Sequence, residues 1–462
     1  SILSSQNKFW NYRTLFWLLV FIRAFFNASL PLMDQTEARY AEIARLMVDT
    51  QNWIVLQIDY NIPFWAKPPL STWAAALSIL LFGPHSFFVR LHYLLVNVAL
   101  AFGIPKVFPV QKVPPYLLSI ILFTLPEFYL HSGVVSTDVF LNLSIVLVMV
   151  SFWKFQKTEN KRLWGHLIFL SLGLGLLAKG PIALILTVPP LFIWAIVHKK
   201  FIRLLNITPW ISGILIMLAV ALPWYISAEK NSPGFLDYFI VGEHFSRFFD
   251  SSWAGDRYGF PKQQPLGIIW AFLIGVTLPW TVIVFHYFKK NARRLVSDKW
   301  HFFLLCWLLW TPIVFTFSKS LIHPYTLPVM IPFALFAAEG WKSFAFKKMI
   351  FSIAVAIPFL LFGLYICGIG KNVIENSTDK YLVEAATNDP IYAYKKKSYS
   401  SQYYTNGAIK TIDSIGYLKL KKKEKPFSIL IEKKLVEQID TTGLYSMKQN
   451  KKKLILNFHT QN

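Results

Sequence analysis

From residue 88 to residue 369 the chain is a succession of apolar runs separated by short polar or basic breaks. Most of these runs approach the roughly 20 residues that a helix needs to cross a bilayer core. A water-soluble chain has no use for so many, and 55% hydrophobic residues with 17% aromatics is the composition of a membrane protein. The net charge of +23 does not point to nucleic acid, because most basic residues cluster between apolar runs or in the C-terminal tail. Such clusters are what the positive-inside rule produces. Cys306 and Cys367 both fall inside apolar runs and read as small buried hydrophobes, not a disulfide.

The predicted fold is an all-α polytopic membrane region with a small C-terminal α/β domain outside the membrane. Eleven spans are expected, at 15–30, 88–105, 115–130, 138–153, 163–178, 181–197, 207–225, 266–288, 301–317, 324–340 and 348–369, with thirteen as an upper bound. The first run has no small-residue cleavage site and reads as a retained span. The run 70–83 is too short to cross and is expected at the interface. With eleven spans the basic loops 106–112, 154–162, 198–203, 289–294 and 342–348 share one side with the N-terminus. The opposite, exterior or periplasmic face then carries loops 31–87 and 226–265 and the tail. Arg23, inside the first run, is expected to face the bundle interior and pair with a carboxylate.

The segment from 31 to 73 organises the rest. Its front half, with Asp34, Glu37, Arg39, Glu42 and Arg45 around Tyr40 and several alanines, has helical spacing from about Thr36. Charged, folded backbone between spans is expensive unless it lines a polar cavity. Asp34 and Glu37 are therefore candidate catalytic groups, against the plainer reading of Asp34 as a helix cap. Asp138, after Ser136 and Thr137, shares the outer face with Asp34, with capping again the plain alternative. Two carboxylates there suit acid/base or metal chemistry. Lys67 before Pro68-Pro69 is a point charge for a phosphate or a snorkelling lysine. Arg39 and Lys179, the latter in the tight Ala178–Pro181 turn, are further candidates for substrate binding.

Loop 226–265 sets Glu243, His244 and Arg247 among aromatics, and a short outer turn adds Lys319, His323 and Tyr325. Arginine beside aromatic rings suits a phosphate with a lipid or sugar. An interfacial amphipathic helix is the alternative. A domain boundary is expected near 370. Residues 371–462 hold 17 Lys and 9 acidic residues, with β-like runs at 391–394, 427–431 and 454–458. That basic charge suits anionic head groups. A tail with no substrate role is the plainer reading. No Walker loop, zinc pattern or internal repeat is present.

The ordered set D-x-x-E-x-R-Y-x-E-I-A-R from Asp34, then N-W, K-P-P and F-G-x-x-x-F-x-V-R-L, resembles the first outer loop of bacterial GT-C glycosyltransferases. The similarity is to lipid A aminoarabinose transferases and protein O-mannosyltransferase-like enzymes. It continues through STD at 136–138, AKGP at 178–181, EHFSRF at 243–248 and the SK…Y-x-L-P stretch at 318–328. The resemblance implies a polyprenyl-phosphate sugar donor, with undecaprenyl phosphate as carrier, and lipid A or another periplasmic acceptor. It implies that Asp34 and Asp138 line the active site, and that Lys67 and Arg247 hold the donor phosphate. It places the protein in the bacterial inner membrane with a periplasmic active site. Some relatives hold zinc with a Glu before the lysine. Here that position is Ala66, which leaves His244 and His323 as candidates for zinc or magnesium. Phe64 stands where a Tyr is frequent. The rival readings are a protein O-glycosyltransferase and a polyisoprenoid transporter; the latter predicts symmetry between halves or broken spans at the midplane, and the sequence shows neither.

Overall fold

The computed structural model describes residues 2–157, 161–246, 255–259, 263–387 and 390–458. A long helix, Ile2–Ser29, leads into the segment 31–73. There the amphipathic stretch forms the helix Thr36–Thr50, followed by a small hairpin of Gln57–Asp59 and Ile62–Pro63, and then the helix Leu70–Phe82. At about 1.5 Å per residue, the 13 residues of that last helix rise only about 20 Å. Its Leu77, Leu80, Leu81 and Phe82 are exposed.

Among the described residues, five helices are long and apolar enough to cross a membrane: Ser86–Val107, Asp138–Lys157, Trp210–Asn231, Lys299–Thr316 and Lys347–Ile366. Ile268–Thr277 and Thr281–Ser297 make a sixth if counted as one span, although they meet at 109°. Several of the eleven expected spans are thus not single long helices, and proline is the recurring reason. It removes a backbone donor and clashes with the preceding turn. The run 115–130 divides at Pro126 into Leu117–Thr124 and Pro126–His131. The run 266–288 bends at Leu278-Pro279-Trp280. The run 324–340 starts as a 3-10 helix, His323–Val329, which contains Pro324 and Pro328. Hydropathy counted these as continuous because proline barely changes it.

Arg23 is buried, as expected, but its partner is not a carboxylate. One Nη donates to the Leu130 carbonyl at 3.0 Å, and the guanidinium lies over the Tyr129 ring. The carboxylate of Glu37 instead takes Arg90. Arg90 Nε and Nη2 donate to its two oxygens at 2.7 and 2.9 Å, and the remaining donors reach the carbonyls of Asn27, Leu30 and Pro31. The planar fork of arginine matches such a site, and removing one member of a buried pair is strongly destabilising. This clamp joins the helix Thr36–Thr50 to the end of Ile2–Ser29 and to Ser86–Val107.

After Lys347–Ile366 the chain leaves the apolar bundle through Gly368 and Gly370 and builds a five-stranded sheet. Its order is Lys410–Ile412, Ile391–Tyr394, Phe427–Glu432, Lys453–Phe458 and Leu444–Gln449. The first three strands are parallel and the last three antiparallel. Period-two alternation sorts the central strand. Ile429 and Ile431 join Tyr417, Phe427 and Phe458 on one face, while Leu430 packs with Val383, Ala393 and Ile455 on the other. The helix Tyr399–Tyr404 of this region lies against Thr36–Thr50, and the Tyr404 hydroxyl accepts from Leu32 N–H at 2.7 Å. The basic tail is therefore docked on the segment 31–73.

Candidate functional site

Five separate elements deliver side chains to one small cavity of about 90 Å³. Lys67 comes from the loop after the hairpin, Asp138 from the first turn of Asp138–Lys157, and Lys179 from the turn after Lys161–Ala178. Glu243 and His244 come from a π-helix, Asp237–Ser246, and Tyr325 from the 3-10 helix. π-helical turns recur at functional sites because their irregular backbone re-aims side chains. The Lys179 turn needs Gly180 at φ +90°. A Cβ there would also come within 2.6 Å of the Phe239 ring.

The polar groups of the cavity are arranged as two lysine–carboxylate pairs. Lys67 Nζ lies 3.3 Å from Glu243 Oε2 and donates to the Ala66 carbonyl at 2.8 Å. Lys179 Nζ pairs with Asp138 Oδ1 and sits 4.6 Å from the centre of the Tyr325 ring. The carboxylate of Asp138 is thus turned to a lysine. The His244 ring meets the Phe239 carbonyl through Nδ1 at 2.8 Å, and burial pushes its pKa down, so the ring is neutral at pH 7. Among the described residues the two cations and two anions of the cavity balance, so an incoming anion has to displace a carboxylate from a lysine. Chemically it is a phosphate-sized pocket with two point charges and an aromatic wall.

Asp34 stands elsewhere. It lines a cleft of about 970 Å³ between the outer segment and the tail, together with Tyr258, Asp379, Tyr399 and the lysines 395–397, 452 and 453. Its carboxylate accepts from the Ser400 backbone N–H at 3.0 Å and from the Ser400 hydroxyl. The helix that follows takes no side-chain cap from it. Burial pushes its pKa up to about 6, against the lowering effect of the Ser400 bonds and reinforced by Asp379.

Lys67, Asp138, Lys179, His244 and Tyr325 therefore meet in one cavity, and Asp34 does not join them. Glu37, expected to be catalytic, lines neither space, because both of its oxygens are held by Arg90. Arg39 is likewise a brace. It donates to the Tyr258 carbonyl at 2.6 Å and packs on Tyr40 and Phe64. Lys319 is exposed, on a turn whose Ser318 and Ser320 line the cavity. Arg247 lies outside the described residues. The expected metal ligands His244 and His323 do not converge. His323 Nδ1 faces Glu127 Oε2 at 2.8 Å, and that carboxylate also holds His131 at 2.9 Å. Among the described residues no three His, Cys, Asp or Glu side chains form a metal-binding group. Among the described residues the donor set does not fit a divalent ion. Sequence reasoning passed over Glu243 as a site residue. Its place beside His244 in the EHFSRF stretch was the available signal.

Comparison with known proteins bears on the fold. Superposed on the crystal structure of ArnT from Cupriavidus metallidurans bound to undecaprenyl phosphate, the chain gives a TM-score of 0.77. The match covers 97% of this chain and 98% of that one at 15% identity. This protein has the ArnT fold. An oligosaccharyltransferase from Archaeoglobus fulgidus shares it more distantly, with a TM-score of 0.50 over 92% of this chain and 70% of that one, at 9% identity. The GT-C resemblance read from the loop motifs holds at the level of fold. The profile of the dolichyl-phosphate-mannose-protein mannosyltransferase family matches residues 13–239. Among curated relatives, the undecaprenyl phosphate-alpha-4-amino-4-deoxy-L-arabinose arabinosyl transferase of Enterobacter sp. (strain 638) is 27% identical over 318 residues. That match covers 67% of this chain and 55% of the relative. The protein of the same name from Aeromonas hydrophila is 29% identical over 321 residues, with 67% and 56% covered. Matches to these relatives therefore span little more than half of their length.

Proposed function

We propose that this protein is a membrane glycosyltransferase that moves an amino sugar, aminoarabinose, from undecaprenyl phosphate to lipid A. The reaction is assigned to the periplasmic face of the bacterial inner membrane. The observation that carries the proposal is the pair of lysines, Lys67 and Lys179, held by Glu243 and Asp138 in one cavity at the end of the ArnT-like bundle. The names of the relatives above support the choice of donor and sugar.

In this reading the donor phosphate exchanges with a carboxylate at one or both lysines. The bond between the sugar's anomeric carbon and the phosphate oxygen breaks, and its electron pair stays on the phosphate. Lys67 and Lys179 stabilise the charge that grows there, which is transition-state work by groups already in place. Tyr325, against Lys179, supplies an apolar wall for the sugar. Asp34 serves the acceptor side from the lysine-rich cleft. If the acceptor oxygen belongs to a phosphate, it is already a nucleophile, and Asp34 orients the acceptor from the cleft. If it belongs to a hydroxyl, a carboxylate poised near pH 6 is suited to take its proton.

The test is mass spectrometry of lipid A from cells with the protein, without it, and with Lys67→Ala. Loss of the added amino-sugar mass in the last two supports the proposal. Unchanged lipid A in the knockout removes lipid A as acceptor. A glycoprotein lost in that knockout would establish the second reading, protein O-glycosylation, which the family profile over 13–239 favours.

A further inference from the structure

A second space lies away from the transfer cavity. Between Ile2–Ser29 and Lys347–Ile366 runs an apolar groove of about 610 Å³, lined by Phe26, Tyr129, Leu361 and Tyr365 among others. One polar feature breaks its wall. Arg23 is 6% exposed and Tyr129 is 9% exposed, and both line the groove. Neither Arg23 Nε nor the Tyr129 hydroxyl has a hydrogen-bond partner. Leaving such groups unsatisfied in apolar surroundings costs on the order of 1–3 kcal/mol each, more for a charged one. Arg23 Nε can only donate and the Tyr129 hydroxyl can donate, so one acceptor would satisfy both.

The groove also has a direction. Its outer end is lined by Met33, Gly370 and Ile374. The lysine-rich cleft begins at the adjoining residues Asp34, Asn376 and Ser377. An apolar channel thus runs up to a cationic one. Arg23 lies six residues before the helix end at Ser29, which is about 9 Å along the axis. That is a fitting depth for the ester linkage of a lipid whose head group sits at the cleft.

We propose that groove and cleft together bind one acidic, acyl-chain membrane lipid. The chain occupies the groove, an ester carbonyl accepts from Arg23 and Tyr129, and the anionic head group meets the lysines 395–397, 452 and 453. A polyprenyl chain does not fit this site, since it offers no acceptor at the depth of Arg23. The site is separate from the lysine–carboxylate cavity, and its head-group end shares the Asp34 cleft with the acceptor side of the proposed transfer.

Native mass spectrometry of the full chain in detergent, titrated with phosphatidylglycerol or phosphatidylcholine, tests this. The protein is expected to retain one phosphatidylglycerol in preference to phosphatidylcholine. Arg23→Gln should weaken retention about tenfold, the loss of one charged hydrogen bond. Leu361→Trp, which fills the groove from its exposed side, should abolish retention. Leu222→Trp, on the exposed face of Trp210–Asn231, should leave it unchanged. Equal retention of the two lipids, or equal behaviour of the two tryptophan variants, would overturn the proposal. Melting curves of each variant separate loss of the lipid from loss of the fold.

Discussion

Replacing Glu243 by glutamine isolates what the resting lysine–carboxylate pair does. Glu243 is almost fully buried, with a side chain only 4% exposed, and Lys67 is 18% exposed. At 3.3 Å and an effective dielectric near 20, the gross attraction is about 5 kcal/mol. Most of that is offset, since Lys67 keeps the Ala66 carbonyl and gains water. The net worth of a charged hydrogen bond is about 1.5–3 kcal/mol. If donor phosphate must displace Glu243 from Lys67, removing the negative charge lowers the binding barrier by about 1–2 kcal/mol. That is a factor of roughly five to thirty in Kd. Glutamine keeps the shape, and its amide can still meet the Tyr238 hydroxyl, which lies 3.4 Å from Glu243 Oε1. The assay is a titration of the purified protein with undecaprenyl phosphate in nanodiscs, with Lys67→Ala in parallel. Glu243→Gln should tighten binding and Lys67→Ala should weaken it. If both weaken it alike, Glu243 organises the phosphate site instead of competing for it, and the exchange mechanism is wrong.

Asp34 should govern the acidic limb of the pH–activity profile, with activity rising through about pH 6 as the carboxyl loses its proton. The Ser400 bonds hold that pKa down, so Ser400→Ala should move the limb to higher pH; an unmoved limb would exclude Asp34 as its source. The same group tests the fold with the opposite sign. A carboxyl raised by burial favours the folded state when protonated, so its contribution falls as pH rises from about 4 to about 6, and Asp34→Asn should flatten that part of the Tm–pH curve. Arg90→Met leaves Glu37 buried without its partner and should cost about 3–5 kcal/mol, read as a large fall in Tm. Gly133→Ala should destabilise as well, because the new Cβ would lie 1.7 Å from Asn27 Oδ1 and 2.3 Å from an Arg23 Nη; a normal melting curve would show that this helix contact is loose.

Much of this molecule is written locally. Apolar runs announce a membrane bundle whatever their neighbours are, because about 20 residues of uncharged helix have few other stable environments. The helix from Thr36 and the three expected strands of the tail follow from periods of 3.6 and 2 that need no knowledge of the fold. The motif spacing also marked Lys67, Asp138 and Lys179, because a charged group at the edge of an apolar run is conspicuous by itself. Tertiary structure decided which charges answer each other. Glu37 and Asp34 lie three residues apart on the same segment, yet one is clamped by Arg90 and the other turns to Ser400 in the tail. Lys67 meets Glu243 across 176 residues. Sequence spacing is blind to such pairs, since an ion pair depends on where two distant backbones are brought by packing. Composition is blind to the proline breaks for a related reason: hydropathy measures where a residue prefers to be, and a helix breaks on backbone geometry.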